Sequence, residues 1–199
     1  EKGLDYAEIT DTLIRGMNRA AEVYGIDVSF LVTFSRHKQN QKKMARLIDV
    51  LSDFSGRING IDLAGDEITF PPEMFAEIFD RIRGLGLPVT VHAGEIAEPE
   101  QIITSVNRLG AVRIGHGITA AQSAPVMDFL VERDVPLEIC LTSNVHTGTV
   151  KDLRKHPVLV FLERGITVKL NTNDQCISGI NMTHELAAAE KVLKKKKKK

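Results

Sequence analysis

Val89-Thr-Val-His92-Ala-Gly-Glu95 is a short β-branched run that ends in an imidazole, with a carboxylate three residues further on. A neutral imidazole suits zinc, and a nearby carboxylate that does not ligate can pass protons between an attacking water and a ring nitrogen. Ala93-Gly94 between them is small enough for a substrate to lie against the backbone. The same residues also fit a satisfied core histidine beside a solvated glutamate, so the pair needs a companion. Arg113-Ile-Gly-His116-Gly117 supplies one, a second histidine between two glycines at the end of the next strand-like run. Neighbouring strands lie about 5 Å apart, so the two rings are expected to face one pocket.

The elements that position these side chains alternate along the chain. Asp5 and Glu8 have capping-box spacing ahead of Ile9, Leu13 and Met17, and Gly25 is a stop signal, so the spacing predicts a helix over 6–24. The apolar run 28–34 reads as a buried strand. Helices are expected near 41–54, 72–83, 99–109, 121–133, 157–164 and 184–193, and strands near 58–63, 88–92, 112–115, 136–140 and 167–171. Such alternation indicates βαβ units and a parallel sheet. Arg36-His37, Asp62 with Asp66-Glu67, His92 with Glu95, His116, Ser143-Asn144 and Asn173-Asp174 all fall at or just beyond the C-terminal ends of these strands. A doubly wound sheet puts its ligand at one switch point, whereas a (β/α)8 barrel gathers residues from many strand ends. Six contributing strands favour the barrel, of which about six of eight strand–helix units are visible, and two strands are expected to precede Glu1.

No linker or composition shift divides residues 1–193, which read as one incomplete barrel domain. The 199 residues, 43% apolar and 26% charged, belong to an ordinary globular chain. No apolar run approaches the roughly 18 to 20 residues that span a bilayer. Glu1-Lys-Gly-Leu-Asp5 lacks the layout of a signal peptide, and a cytoplasmic location is expected. Cys140 and Cys176 have no C-x-x-C spacing and are expected to be buried free thiols. The formal charge of zero conceals six lysines at 194–199; the remaining 20 basic residues face 26 acidic ones, a net of −6. That run reads as a tag or unassigned tail, and a nucleic-acid partner would rest on it alone.

Six motifs then share one order. Gly60-Ile-Asp-Leu-Ala-Gly-Asp-Glu67, His92-Ala-Gly-Glu95, Arg113-Ile-Gly-His-Gly117, Glu138-Ile-Cys-Leu-Thr-Ser-Asn144, His156-Pro157 and Leu170-Asn-Thr-Asn-Asp174 resemble the successive motifs of the adenosine deaminase family, over nearly the whole span from Gly3 to Leu193. The resemblance implies a zinc hydrolase that replaces the 6-amino group of a purine nucleoside by oxygen, giving inosine and ammonia from adenosine. It implies His92 as a zinc ligand, Glu95 as the group that protonates ring N1, and His116 as support for the attacking hydroxide. Gly65 is then expected to hold the purine through its backbone and Asp174 to bond N7. Asn171-Thr172 resembles the adenosine branch more than the adenine branch.

The chain departs from the pattern at the metal. Where the family has a ligating aspartate this sequence has Asn173, a neutral amide that can touch zinc without supplying charge. The family's His-x-His pair is not found among His37, His92, His116, His146, His156 and His184. Weakly held Zn2+ is therefore expected, along with a partner chain or self-association completing the barrel. The alternative reading is a purine-binding or scaffold homologue without turnover. Of the other groups, Asp66 and Glu67 are expected to form structural salt bridges or to position substrate. His37 and His146 are read as loop residues, His184 as helix surface, and His156 as a seat for the helix that follows it. Leu141, where the family has proline, suggests only a changed strand exit.

Overall fold

The computed structural model describes Gly3 and residues 5–37 and 41–194. Its first helix, α1 (Tyr6–Tyr24), starts where Asp5 accepts the backbone N–H groups of Ala7 and Glu8, and stops at Gly25, whose φ is 64°. Six strand–helix steps follow: β1 (Leu31–Arg36), α2 (Gln41–Ser52), β2 (Gly60–Gly65), α3 (Ala76–Gly84), β3 (Val89–Ala93), α4 (Glu100–Leu109), β4 (Ala111–His116), α5 (Ala124–Glu132), β5 (Leu137–Ile139), α6 (Leu141–His146), α7 (Val158–Arg164), β6 (Val168–Leu170), α8 (Gln175–Ser178) and α9 (Met182–Lys194).

The strands form one sheet in sequential order, every pair parallel, which is a partial (β/α) barrel. Parallel strands joined through covering helices are buried on both faces. Ile61, Leu63, Val91, Ile114 and Leu137 of the inner strands are accordingly buried, together with Phe79, Ile82, Ile102, Leu109, Leu130 and Phe161 of the helices laid over them. The end strands differ: Leu31 of β1 is exposed, and β6 is at most half-buried. Among the described residues no helix is long and apolar enough to cross a membrane.

Several sequence expectations shift. The first strand is displaced from 28–34 to Leu31–Arg36, because Asn59 Oδ1 takes the N–H of Phe30, the Asn59 N–H goes to Phe30 O, and the ladder with β2 starts only at Leu31 opposite Gly60. At its other end Arg36 is held in the ladder opposite Gly65, and its buried guanidinium donates to Phe70 O and His92 O. The segment after Cys140 is the helix α6, and His146 closes it instead of lying in a loop. Cys140 is buried but Cys176, on the short α8, is exposed, which corrects the expectation for the second thiol. The lysines beyond Lys194, like Glu1, Lys2 and Leu4, lie outside the described residues.

Candidate active site

The C-terminal ends of β2, β3 and β4 bring three side chains together. His92 stands opposite Gly115 in the β3–β4 register, and a Cβ on Gly115 would sit 3.1 Å from the His92 ring, so glycine there is what leaves room for the imidazole. Behind the ring lies Asp62 of β2, its Oδ1 3.0 Å from His92 Nδ1 and its Oδ2 accepting the hydroxyl of Thr33. An ionised carboxylate can only accept, so Nδ1 carries the proton and Nε2 is left for the pocket. Burial disfavours the imidazolium, but the hydrogen bond and charge of Asp62, with Glu95 and Glu138 farther off, outweigh it and raise the pKa of His92.

Beyond β3 the chain must turn sharply to present Glu95. Gly94 makes the turn at φ 68°, with Ile102 and Thr119 packed so closely that a side chain has no space. The turn is tied down by Glu67, a buried carboxylate that accepts the backbone N–H of Gly94 at 2.7 Å on one oxygen and those of Ile96 and Ala97 on the other. Three amide N–H groups thus surround the Glu67 carboxylate, and its charge also acts on the buried guanidinium of Arg36. Asp66 beside it caps the next turn, accepting from Ile68 and Thr69.

His116 closes β4 in the left-handed region at φ 65°, an uncommon conformation for a non-glycine residue and one that gathers at functional sites. Its ring lies edge-on to His92 with centroids 5.1 Å apart, and its Nε2 is 3.7 Å from Glu95 Oε2. The other oxygen of Glu95 is within reach of the hydroxyls of Thr147 and Thr149. Burial, reinforced by the charge of His92, brings the pKa of His116 down to about 4, so the ring is neutral at ordinary pH. The fully buried Asn144 amide lies 3.0 Å from His116 Nδ1, 3.5 Å from Glu95 Oε1 and 3.4 Å from His156 Nε2. His156 also takes the Val158 N–H on its Nδ1 and so caps the start of α7. A neutral imidazole and a carboxylate facing each other at the C-terminal end of the sheet can support an attacking water and move its protons.

The remaining expected site residues line the same end of the sheet. Gly65 ends β2 exposed, at φ 112°. Asn173, just past β6 and also left-handed at φ 59°, donates its Nδ2 to Ser143 Oγ, and Asp174 caps α8 by accepting the N–H of Ile177. Among the described residues no three His, Cys, Asp or Glu side chains are grouped to hold a metal. Of the residues expected at the metal, His92, oriented by Asp62, and Asn173 would offer two donors, where zinc takes three or four from protein. The described residues do not by themselves make a zinc site.

The contacts of Asp62 and Asn144, and the three amides that Glu67 collects, are not legible in the sequence. Asp62, Glu67 and Asn144 are visible as polar residues at strand ends, but the partners His92, Gly94 and Glu95 are 27 to 49 residues away in the chain, and no local signal names them.

The sequence profile of the adenosine deaminase family matches residues 1–198. The chain belongs to the adenosine deaminase family. It is 40% identical over 181 residues to an adenosine deaminase of Yersinia pseudotuberculosis, an alignment covering 91% of this chain and 54% of that one. This family member thus spans about half the length of the curated relatives it matches. Among solved structures it is similar to an adenine deaminase from Arthrobacter aurescens, with TM-score 0.82 and 29% identity over 87% of this chain and 53% of the other. It also shares its fold with an amidohydrolase from Burkhoderia ambifaria solved with bound Zn, with TM-score 0.82 and 23% identity over 90% and 50% of the two chains.

Proposed function

We propose that the protein carrying these residues hydrolyses the exocyclic amino group of a purine, with adenosine as substrate and inosine and ammonia as products. The observation that carries the reading is the Glu95–His116 pair, a carboxylate and a neutral imidazole from two strand ends at 3.7 Å. In the reaction the oxygen of water bonds to C6 of the purine. Glu95 takes one water proton and delivers it to N1, which lets C6 become tetrahedral. The C6–N bond then breaks, the second water proton leaves with the amino group as ammonia, and C6 becomes a carbonyl. His116 stands beside the entering oxygen, the exposed backbone at Gly65 faces the ring, and Asp174 reaches N7 with the oxygen that does not cap α8.

Adenosine, as against adenine or a nucleotide, is favoured by Asn171-Thr172 and by the Yersinia relative. Zn2+ is the proposed metal, with His92 and Asn173 among its ligands; the support is the Asp62 carboxylate behind His92 and the zinc of the Burkhoderia neighbour. The alternative of a binding or scaffold protein has no observation of its own.

Ammonia release from adenosine, adenine and AMP, measured on the full-length gene product, tests the reading. Adenosine should be fastest, and Glu95→Gln should lower kcat by about 10²- to 10⁴-fold, the usual contribution of acid–base help. Purine binding without ammonia from any of the three would establish the alternative.

A further inference from the structure

Asp62 stands behind His92, whereas what stands behind His116 is the Asn144 amide, with two distinguishable ends. Two independent contacts fix which way the Asn144 amide points. On one side Glu95 Oε1, at 3.5 Å, is an acceptor only, so the Asn144 atom facing it must be the NH2 nitrogen. On the other side the backbone N–H of Val158 donates to His156 Nδ1 at 3.1 Å, and a backbone amide has no choice of role. Nδ1 of His156 is then the bare nitrogen of a neutral ring, its proton is on Nε2, and that proton goes to Asn144 Oδ1 at 3.4 Å. The two ends agree. The NH2 nitrogen of Asn144 also lies 3.0 Å from His116 Nδ1, which must therefore be a bare acceptor.

We propose that Asn144 and His156 are positioning residues that hold His116 as the Nε2–H tautomer, so that this ring donates a hydrogen bond toward the pocket and does not accept one. The order runs from the Val158 N–H at the start of α7, through His156 and Asn144, to the face of His116 turned toward Glu95. Every member is buried or bonded, so water is poorly placed to substitute for a missing link. The catalytic consequence rests on the purine-deaminase reading above. A ring fixed with its proton on Nε2 stabilises the entering oxygen as a donor and cannot strip the proton from water, which leaves that task to Glu95. The tautomer itself does not depend on the reading.

The test is a long-range proton–nitrogen correlation spectrum of the full-length protein, metal-loaded and labelled with 15N-histidine. His116 should show a bare Nδ1 and a protonated Nε2. Asn144→Asp places an acceptor-only carboxylate between two histidines, and should move the His116 proton to Nδ1 and lower kcat at least tenfold while KM changes little. His156→Gln keeps a donor opposite Asn144 Oδ1 and should retain the wild-type His116 pattern, whereas His156→Leu, with Glu95 alone left to orient the amide, should give a mixture of the two His116 tautomers; a Leu variant identical to wild type removes His156 from the relay. A wild-type His116 protonated on Nδ1 overturns the proposal without recourse to any variant, as does an Asn144→Asp protein that keeps the proton on Nε2. Absence of ammonia release with the Nε2–H pattern intact defeats the deaminase reading and leaves the relay standing.

Discussion

Glu67 accepts the backbone N–H of Gly94 at 2.7 Å, a bond across 27 residues that ends one strand's loop on the turn of the next. The three amides collected by Glu67 span Gly94 to Ala97, and Glu95 lies between them. The direction in which Glu95 points is thus set by a carboxylate that need not touch substrate.

Glu67→Gln should therefore reduce kcat without a change of general base. An amide has one accepting oxygen where the carboxylate has two, so at least one buried N–H loses its partner, costing about 1–3 kcal/mol of stability. The displaced Glu95 should cost roughly 10- to 100-fold in kcat, since small misplacements of reacting groups have effects of that size. Denaturant unfolding and steady-state kinetics check both; an unchanged kcat would remove Glu67 from any positioning role.

Asp62→Asn should loosen the metal more than it loosens the fold. The charged acceptor at His92 Nδ1 disappears, and loss of such a partner typically lowers metal affinity about 10- to 100-fold. Chelator competition on the full-length protein measures this. Equal affinity in the two proteins would show that His92 does not ligate.

Asn173→Asp should act in the opposite direction. The φ of 59° is one that aspartate tolerates as asparagine does, and Ser143 can donate to the new carboxylate where it now accepts. A unit charge placed at ligand distance from a divalent ion is worth several kcal/mol even when well screened, so retention should tighten by roughly tenfold or more. If chelator competition finds no gain, Asn173 is not at the metal.

Acid should destabilise the fold through His156. Burial, with His116 nearby, lowers its pKa from 6.5 to about 4, so between those values the unfolded chain binds a proton that the folded protein refuses. Stability due to the neutral ring is full above about pH 6.5, falls as the pH drops through that window, and is gone below about pH 4. The loss is on the order of 3 kcal/mol. His116 contributes in the same window, so the His156 share is the difference between wild type and His156→Gln in pH-dependent unfolding. Parallel curves for the two proteins would contradict it.

The sequence by itself determined the alternation of elements, their parallel order and the end of the sheet at which His92, Glu95 and His116 collect. Those follow from local patterns: β-branched runs, an Asp5 cap, a Gly25 stop, and a polar residue wherever an apolar strand ends. Element bounds moved where a single long-range hydrogen bond decided them, as Asn59 does for β1. The helix α6 is the clearest case. Its run Leu141-Thr-Ser-Asn-Val-His146 carries no helical period, and its first turn is secured by Glu185, 43 residues away, which accepts the N–H of Thr142. That helix carries Asn144 to His116. Only the tertiary structure could decide which nitrogen of a histidine holds its proton, because that choice belongs to whichever donor or acceptor the fold brings alongside, and in this chain those groups lie on different strands and helices.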